Sequence, residues 1–221
     1  EPGNDPANNL RYLVMLAAVF LAVHRHADMM RVTIASAGND HRLGANEAPP
    51  SIISVYLGGA MDRLVRNVQE GRFVLDFTVD DIQVTETIMA KKDLTDRNRT
   101  TPFAFTGNKF EFRAVGSSEN SAWPMTVLNT AFAEAARDLR MRLETKLGRH
   151  AREDAVRELV REVFLETQAV RFEGNNYAKE WVEEAARRGL ANLANTPAAL
   201  AVLQRPAATR FLVDFGVFTD E

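Results

Sequence analysis

The chain has 221 residues, 46% of them hydrophobic, a formal net charge of −3 and no cysteine. That length and apolar content fit a soluble globular protein of one domain or a little more, and the interspersed charge excludes a general attraction to nucleic acid or to an anionic membrane. The lack of thiols excludes a disulfide framework and thiolate metal ligation, and it is compatible with a reducing, cytoplasmic setting.

In chain order, Asn8 and Asn9 can cap a helix running to about Ala27. Its positions Leu13, Met15, Leu16, Val19, Phe20 and Leu21 are apolar nearly all round, which puts it inside a core. The apolar stretch Leu10 to Val23 spans about 14 residues, short of the roughly 20 that cross a membrane. His24, Arg25 and His26 fall in the last turn, where cations suit the helix dipole, and the two histidines are poorly spaced for a metal pair on one face. Residues 36–50, rich in Gly, Asn and Pro, read as loop. Ser51 to Leu57 and Met61 to Val68 fit strand or helix, with helix through Val68 preferred.

Phe73 to Thr78 and Ile82 to Thr87 read as two short strands joined at Asp80-Asp81. A loop from Lys91 to Thr101 leads to strands between Phe103 and Val115. Beyond Pro124 the chain turns helical. Met125, Leu128, Phe132, Ala135, Leu139 and Leu143 form a stripe at helical spacing. Further helices are expected over 151–168, over 177–188 ending at Gly189, and from a Thr196 cap with first-turn Pro197. The division is a mixed α/β part, 1–121, and a helical part, 122–221.

The densest chemistry lies in TDRNRTTPFAFTGNKFEFR, Thr95 to Arg113. Period-two alternation puts Lys109, Glu111 and Arg113 on one face of a strand and Phe110 and Phe112 on the other. A loop with Arg97 and Arg99 precedes it. Arginines grip phosphate oxygens and a carboxylate holds a cation, so the pattern suits a polyphosphate with its metal. A solvated ion-pair strand would show the same alternation.

This block resembles the ATP and metal strand of the glutamine synthetase family, where an Asn-Arg-Ser/Thr loop leads to a closing Glu-x-Arg. Residues 37–50, AGNDHRLGANEAPP, resemble that family's flap, and the spelling is closest to the long type III enzymes. The C-terminal segment FEGNNYAKEWVEEAARRGL, Phe172 to Leu190, also looks type III, without chemistry of its own.

The resemblance implies an α+β fold: part of the glutamine synthetase catalytic domain, with antiparallel strands and packed helices, followed by a helical C-terminal segment. It implies an ATP-dependent ammonia ligase that condenses glutamate and ammonia into glutamine through γ-glutamyl phosphate, with Mg²⁺ or Mn²⁺, working as a homo-oligomeric ring. Residue by residue, Glu111 falls on a metal-ligand glutamate and Arg113 on a glutamate-binding arginine. Arg99 falls on a γ-phosphate contact, and Lys109 on a basic position facing the nucleotide. In the flap, Arg42 falls on a substrate-binding arginine. Glu47 falls on the carboxylate that closes the site and assists deprotonation of ammonium. For Arg97 a salt bridge to Asp93 or Asp96 is an equal reading.

Three departures stand out. His41 replaces the usual lysine, the Arg42-to-Glu47 spacing is one residue short, and Ala104 replaces an arginine of the ATP strand. The family's other metal glutamates, its ammonium-site aspartate and its small β-domain all precede the flap. With one metal carboxylate, the chain reads as a C-terminal fragment of the catalytic domain, inactive alone. The alternatives are a non-catalytic assembly module, or a related γ-glutamyl ligase or guanidino kinase on the same fold.

Overall fold

In the computed structural model, the residues described are 2–45, 48–75, 100–148 and 151–219, together with the backbone of two strands within 81–91. Helix α1 (Leu10–Thr33) is the axis of the molecule. Asn9 caps it, its side-chain oxygen accepting the Tyr12 N–H at 3.1 Å. The helix extends one and a half turns past the expected Ala27, because Met29, Met30 and Val32 continue the buried stripe beyond a break in helical geometry at His26. By length and composition α1 alone among the described helices is apolar enough to cross a membrane, yet 61% of its most apolar window is buried inside the protein. It is a core helix. The His26 ring stacks at 3.9 Å on Phe211 and pairs with Glu134, and neither it nor His24 joins a group of potential metal ligands among the described residues.

Helix α2 (Ala37–Arg42) occupies part of the segment expected to be loop. Ser36 caps it by accepting the Asn39 N–H, which makes a short helix cheaper than the composition suggests. Strand β1 (Val55–Tyr56) and helix α3 (Gly59–Gln69) resolve the ambiguity around residues 51–68 in favour of strand, then helix. The break between them is Gly58, whose φ of +82° only glycine adopts readily. Strands β2 (Asp81–Thr85) and β3 (Ile88–Lys91) form an antiparallel hairpin with an irregularity between Gln83 and Thr85. The second strand of this hairpin thus follows Thr85, and Phe73–Leu75 carries no strand. Residues 76–80 lie outside the described residues.

Strands β4 (Phe103–Phe105) and β5 (Phe110–Phe112) pair antiparallel across the Thr106-Gly107-Asn108 turn, and β1 joins β4 in parallel to give the order β1-β4-β5. The sheet is small and mixed, within a mostly helical molecule.

The remaining helices are α4 (Ala122–Leu147), α5 (Arg152–Glu166), α6 (Lys179–Arg187), α7 (Thr196–Leu200) and α8 (Pro206–Asp214), with 3-10 turns at Gln168–Val170 and Ala201–Gln204. Val127, Ala131, Ala135 and Leu139 bury one face of α4, and Val156, Leu159, Val160 and Val163 one face of α5; both pack on α1. Asn195, rather than Thr196, caps α7. Gly189 ends α6 as expected, at φ +76°. One apolar core runs from Ala7 to Leu212 and crosses residue 121 without a break.

Candidate functional site

Strand β5 keeps the alternation read from the sequence. Its register sets Phe103 opposite Phe112 and Phe105 opposite Phe110, so four rings share the inner face. Phe110 lies 5.3 Å from Phe103 and 5.2 Å from Phe105, centroid to centroid, and lines a small cavity with side chains of α1 and α4. On the outer face the Glu111 carboxylate is held between two cations, Lys109 Nζ at 3.3 Å and Arg113 Nε at 3.2 Å. Partial burial works to raise the Glu111 carboxyl. Hydrogen bonds and charge from Arg113 and Lys109 outweigh that and hold it below its ordinary value.

The three side chains do not share one environment. Lys109 is 65% exposed and Glu111 39%, whereas Arg113 is 11% exposed and turns inward. It enters the wall of a cavity of about 320 Å³ bounded by the foot of the flap (Ala48, Pro49), by Ser51 and by Thr101. Arg42 enters the same cavity from α2. These two arginines are the charged residues that line it among the described residues. Ala104, at the position where the resemblance led to an expected arginine, is fully buried opposite Glu111.

Arg42 is held in place by a residue whose role the sequence did not announce. Asn39 is buried, and its side-chain amide donates to the carbonyls of Ile34 (2.8 Å) and Ala114 (3.0 Å). Its Oδ1 accepts from Arg42 Nε at 3.0 Å, and Arg42 donates in turn to the Ala114 carbonyl at 2.7 Å. Asp40, next in α2, accepts from Arg31 at 2.9 Å and from the Thr196 N–H at 2.6 Å. Burial works to raise the Asp40 carboxyl, but the bonds from Thr196 and Arg31 hold it below the usual range. The flap base is thereby tied both to α1 and to the C-terminal helices. The expected site residues Glu47 and Arg99, with Arg97, lie outside the described residues.

The segment Phe172–Leu190, which had offered no chemistry, clasps β1. Phe172 N–H donates to the Val55 carbonyl at 3.0 Å, Ser54 Oγ donates to Asn176 Oδ1 at 3.0 Å, and the Phe172 ring stacks on buried Trp181 at 3.7 Å. Glu173 accepts the N–H groups of Leu57 (2.7 Å) and Gly58 (2.9 Å). Hydrogen bonds between segments so far apart in sequence leave no trace in residue spacing.

Comparison with known proteins agrees with the geometry. Residues 155–221 match the family model described as the glutamine synthetase C-terminal domain. The chain is 45% identical over 202 residues to the type-3 glutamine synthetase of Dictyostelium discoideum, covering 90% of this chain and 28% of that protein. Over 90% of its length the chain is thus similar to a glutamine synthetase. It is also 40% identical over 205 residues to the glutamine synthetase of Bacteroides fragilis (strain YCH46), covering 90% of this chain and 28% of that protein. With the glutamine synthetase of Butyrivibrio fibrisolvens the identity is 38% over 224 residues, covering all of this chain and 31% of that protein. The chain thus spans less than a third of the length of these curated relatives. The family-model match begins at Ala155, so residues 37–50 and 103–113 are related through the similarity to these relatives instead.

Proposed function

We propose that this chain supplies the flap and the ATP- and metal-facing strand of a glutamine synthetase, which joins ammonia to glutamate at the expense of ATP. The observation that carries the reading is the convergence of Arg42 and Arg113 on one cavity of about 320 Å³. Two guanidinium groups in a partly closed, otherwise uncharged pocket suit a carboxylate in two-pronged geometry. Glutamate bound there through its carboxylate would present the γ-carboxylate for phosphoryl transfer.

Lys109, exposed beside the strand, is positioned to meet phosphate oxygens, with Arg99 assigned to the same task. The γ-phosphoryl group passes to the γ-carboxylate, ADP leaves, and ammonia then displaces phosphate. Glu47 is assigned to close the flap and accept the ammonium proton.

The metal fits on one side only. Glu111 offers a carboxylate whose depressed proton affinity keeps it ionised, but Mg²⁺ takes about six oxygens. Among the described residues no group of three potential ligands surrounds it. Further ligands must come from elsewhere in the full-length enzyme, in keeping with a chain that spans less than a third of its relatives. When bound, the metal would neutralise phosphate charge, with Glu111 as its ligand from this chain.

The test is kinetic, in the full-length synthetase that carries these residues. Arg42→Ala and Arg113→Lys are each expected to raise KM for glutamate about tenfold or more, one charge-assisted pair being worth about 1.5–3 kcal/mol, with KM for ATP much less affected. Unchanged glutamate kinetics in both variants rejects the assignment.

A further inference from the structure

A second cavity, of about 570 Å³, lies between α3, α6 and the 3-10 turn Gln168–Val170 and shares no lining residue with the first. We infer that it is a binding site for a phosphate group, free or carried on a small metabolite, built around Arg66, Arg171 and Arg188.

Arg171 is the key residue of this cavity. It is 93% withdrawn from solvent, being only 7% exposed, yet its Nε has no hydrogen-bond partner. Its Nη2 reaches only the Phe164 carbonyl at 3.3 Å, and its nearest carboxylate, Asp62, stands off at 3.9 Å. A buried guanidinium short of acceptors is costly, and such a group calls for an anion or an equivalent acceptor.

The carboxylates around the cavity are already committed. Asp62 is 2.7 Å from Arg66 Nε; Glu184 is 2.7 Å from both Arg187 and Arg188. Glu173, close by, spends its oxygens on the Leu57 and Gly58 N–H groups, and burial raises its carboxyl to about 7. Arg188, stacked over Trp181, also donates to the Arg171 carbonyl at 2.7 Å. Arg66 and Arg188 are thus each met by a carboxylate, and Arg171 is the guanidinium of the three left short of an acceptor. Burial lowers Arg171 to about 10; the charges of Asp62 and Glu173 oppose this and those of Arg66 and Arg188 add to it.

A phosphate oxygen meeting Arg171 would complete its hydrogen bonding and bring negative charge beside Arg66 and Arg188. A volume of about 570 Å³ exceeds a bare phosphate and leaves space for a small organic body.

Calorimetric titration of the purified protein with inorganic phosphate, and separately with ribose 5-phosphate, at constant ionic strength set with chloride, tests the assignment. Saturable binding in either arm is expected, weakened about tenfold or more by Arg66→Gln. The tighter arm identifies the free or the esterified group. Arg66 has a 67% exposed side chain, so its replacement leaves the fold intact, and it lies outside the Arg42–Arg113 cavity. Arg171→Lys should abolish binding; if that variant does not fold, Arg66→Gln decides alone. No saturable binding in either arm, or binding indifferent to Arg66→Gln, overturns the inference.

Discussion

Arg42 Nη2 lies 2.7 Å from the carbonyl oxygen of Ala114, the residue that follows Arg113 in the chain. One hydrogen bond therefore couples helix α2 to the residues just beyond strand β5 and fixes the separation of the two arginines that share the cavity. Asn39 braces it from beneath by bonding both partners.

Asn39→Ala should accordingly act twice. It leaves the buried carbonyls of Ile34 and Ala114 with fewer donors and should destabilise the protein by about 1–3 kcal/mol. In the full-length enzyme it should also raise KM for glutamate, because Arg42 loses its support, while a distant core variant of equal instability should not. Denaturant unfolding and steady-state kinetics on the same preparations check both halves. A loss of stability with unaltered glutamate KM reduces Asn39 to a structural role.

Glu111→Gln keeps the shape of the carboxylate and removes its charge. Strand β5 is anchored by Phe110 and Phe112 on its other face, so the melting temperature should change little. The apparent affinity of the full-length enzyme for Mg²⁺ should fall markedly, since an amide is a poor substitute for a carboxylate toward a hard cation. Normal metal dependence of turnover would remove Glu111 from the metal site.

Glu173 predicts a pH effect of the less familiar sign. Burial, the largest influence, lifts its carboxyl from 4.5 to about 7, against the opposing hydrogen bonds from Leu57 and Gly58. The folded protein therefore binds a proton in the range between 4.5 and 7 that the unfolded chain has released. Its contribution is fully present below about 4.5 and is lost as pH rises through 7, by about 3 kcal/mol in all. Asp40 and Glu111, held below their ordinary values, run the other way and lose their contribution only as pH falls through the acid range. The difference in unfolding free energy between the parent and Glu173→Gln should thus shift in favour of the variant from pH 5 to pH 8. A difference that stays constant over that interval would contradict a neutral buried Glu173.

The 221-residue chain by itself should form no glutamine from glutamate, ammonia and ATP. Phosphoryl transfer needs a full set of metal ligands, and among the described residues Glu111 stands without other carboxylates to complete one. A coupled assay for ADP release, with full-length enzyme as the positive control, checks this. Turnover by the chain alone would mean that it carries the missing ligands itself.

Several local elements and the resemblance to glutamine synthetases were legible in the residue order, whereas α2 and strand β1 were not. Alternation along Lys109–Arg113 fixes which side chains share a face, because a strand repeats every two residues whatever surrounds it. The stripe from Met125 to Leu143 likewise fixes a helix, and Gly189 its neighbour's end, since both depend on spacing and on backbone freedom within a few residues. The family blocks at residues 37–50 and 95–113 are also strings of contiguous residues. What the order of residues could not determine is which charged side chain turns inward. Lys109, Glu111 and Arg113 are equivalent by spacing, and only the fold, which brings Ala48, Ser51 and Thr101 round one cavity, puts Arg113 in its wall and leaves the other two toward solvent. Nor could it announce Asn39, Glu173 or Arg171, whose partners are supplied by segments distant in sequence. Their energetics come from burial and from the unmet hydrogen-bonding demands of groups withdrawn from water, and those exist only once the chain has folded around them.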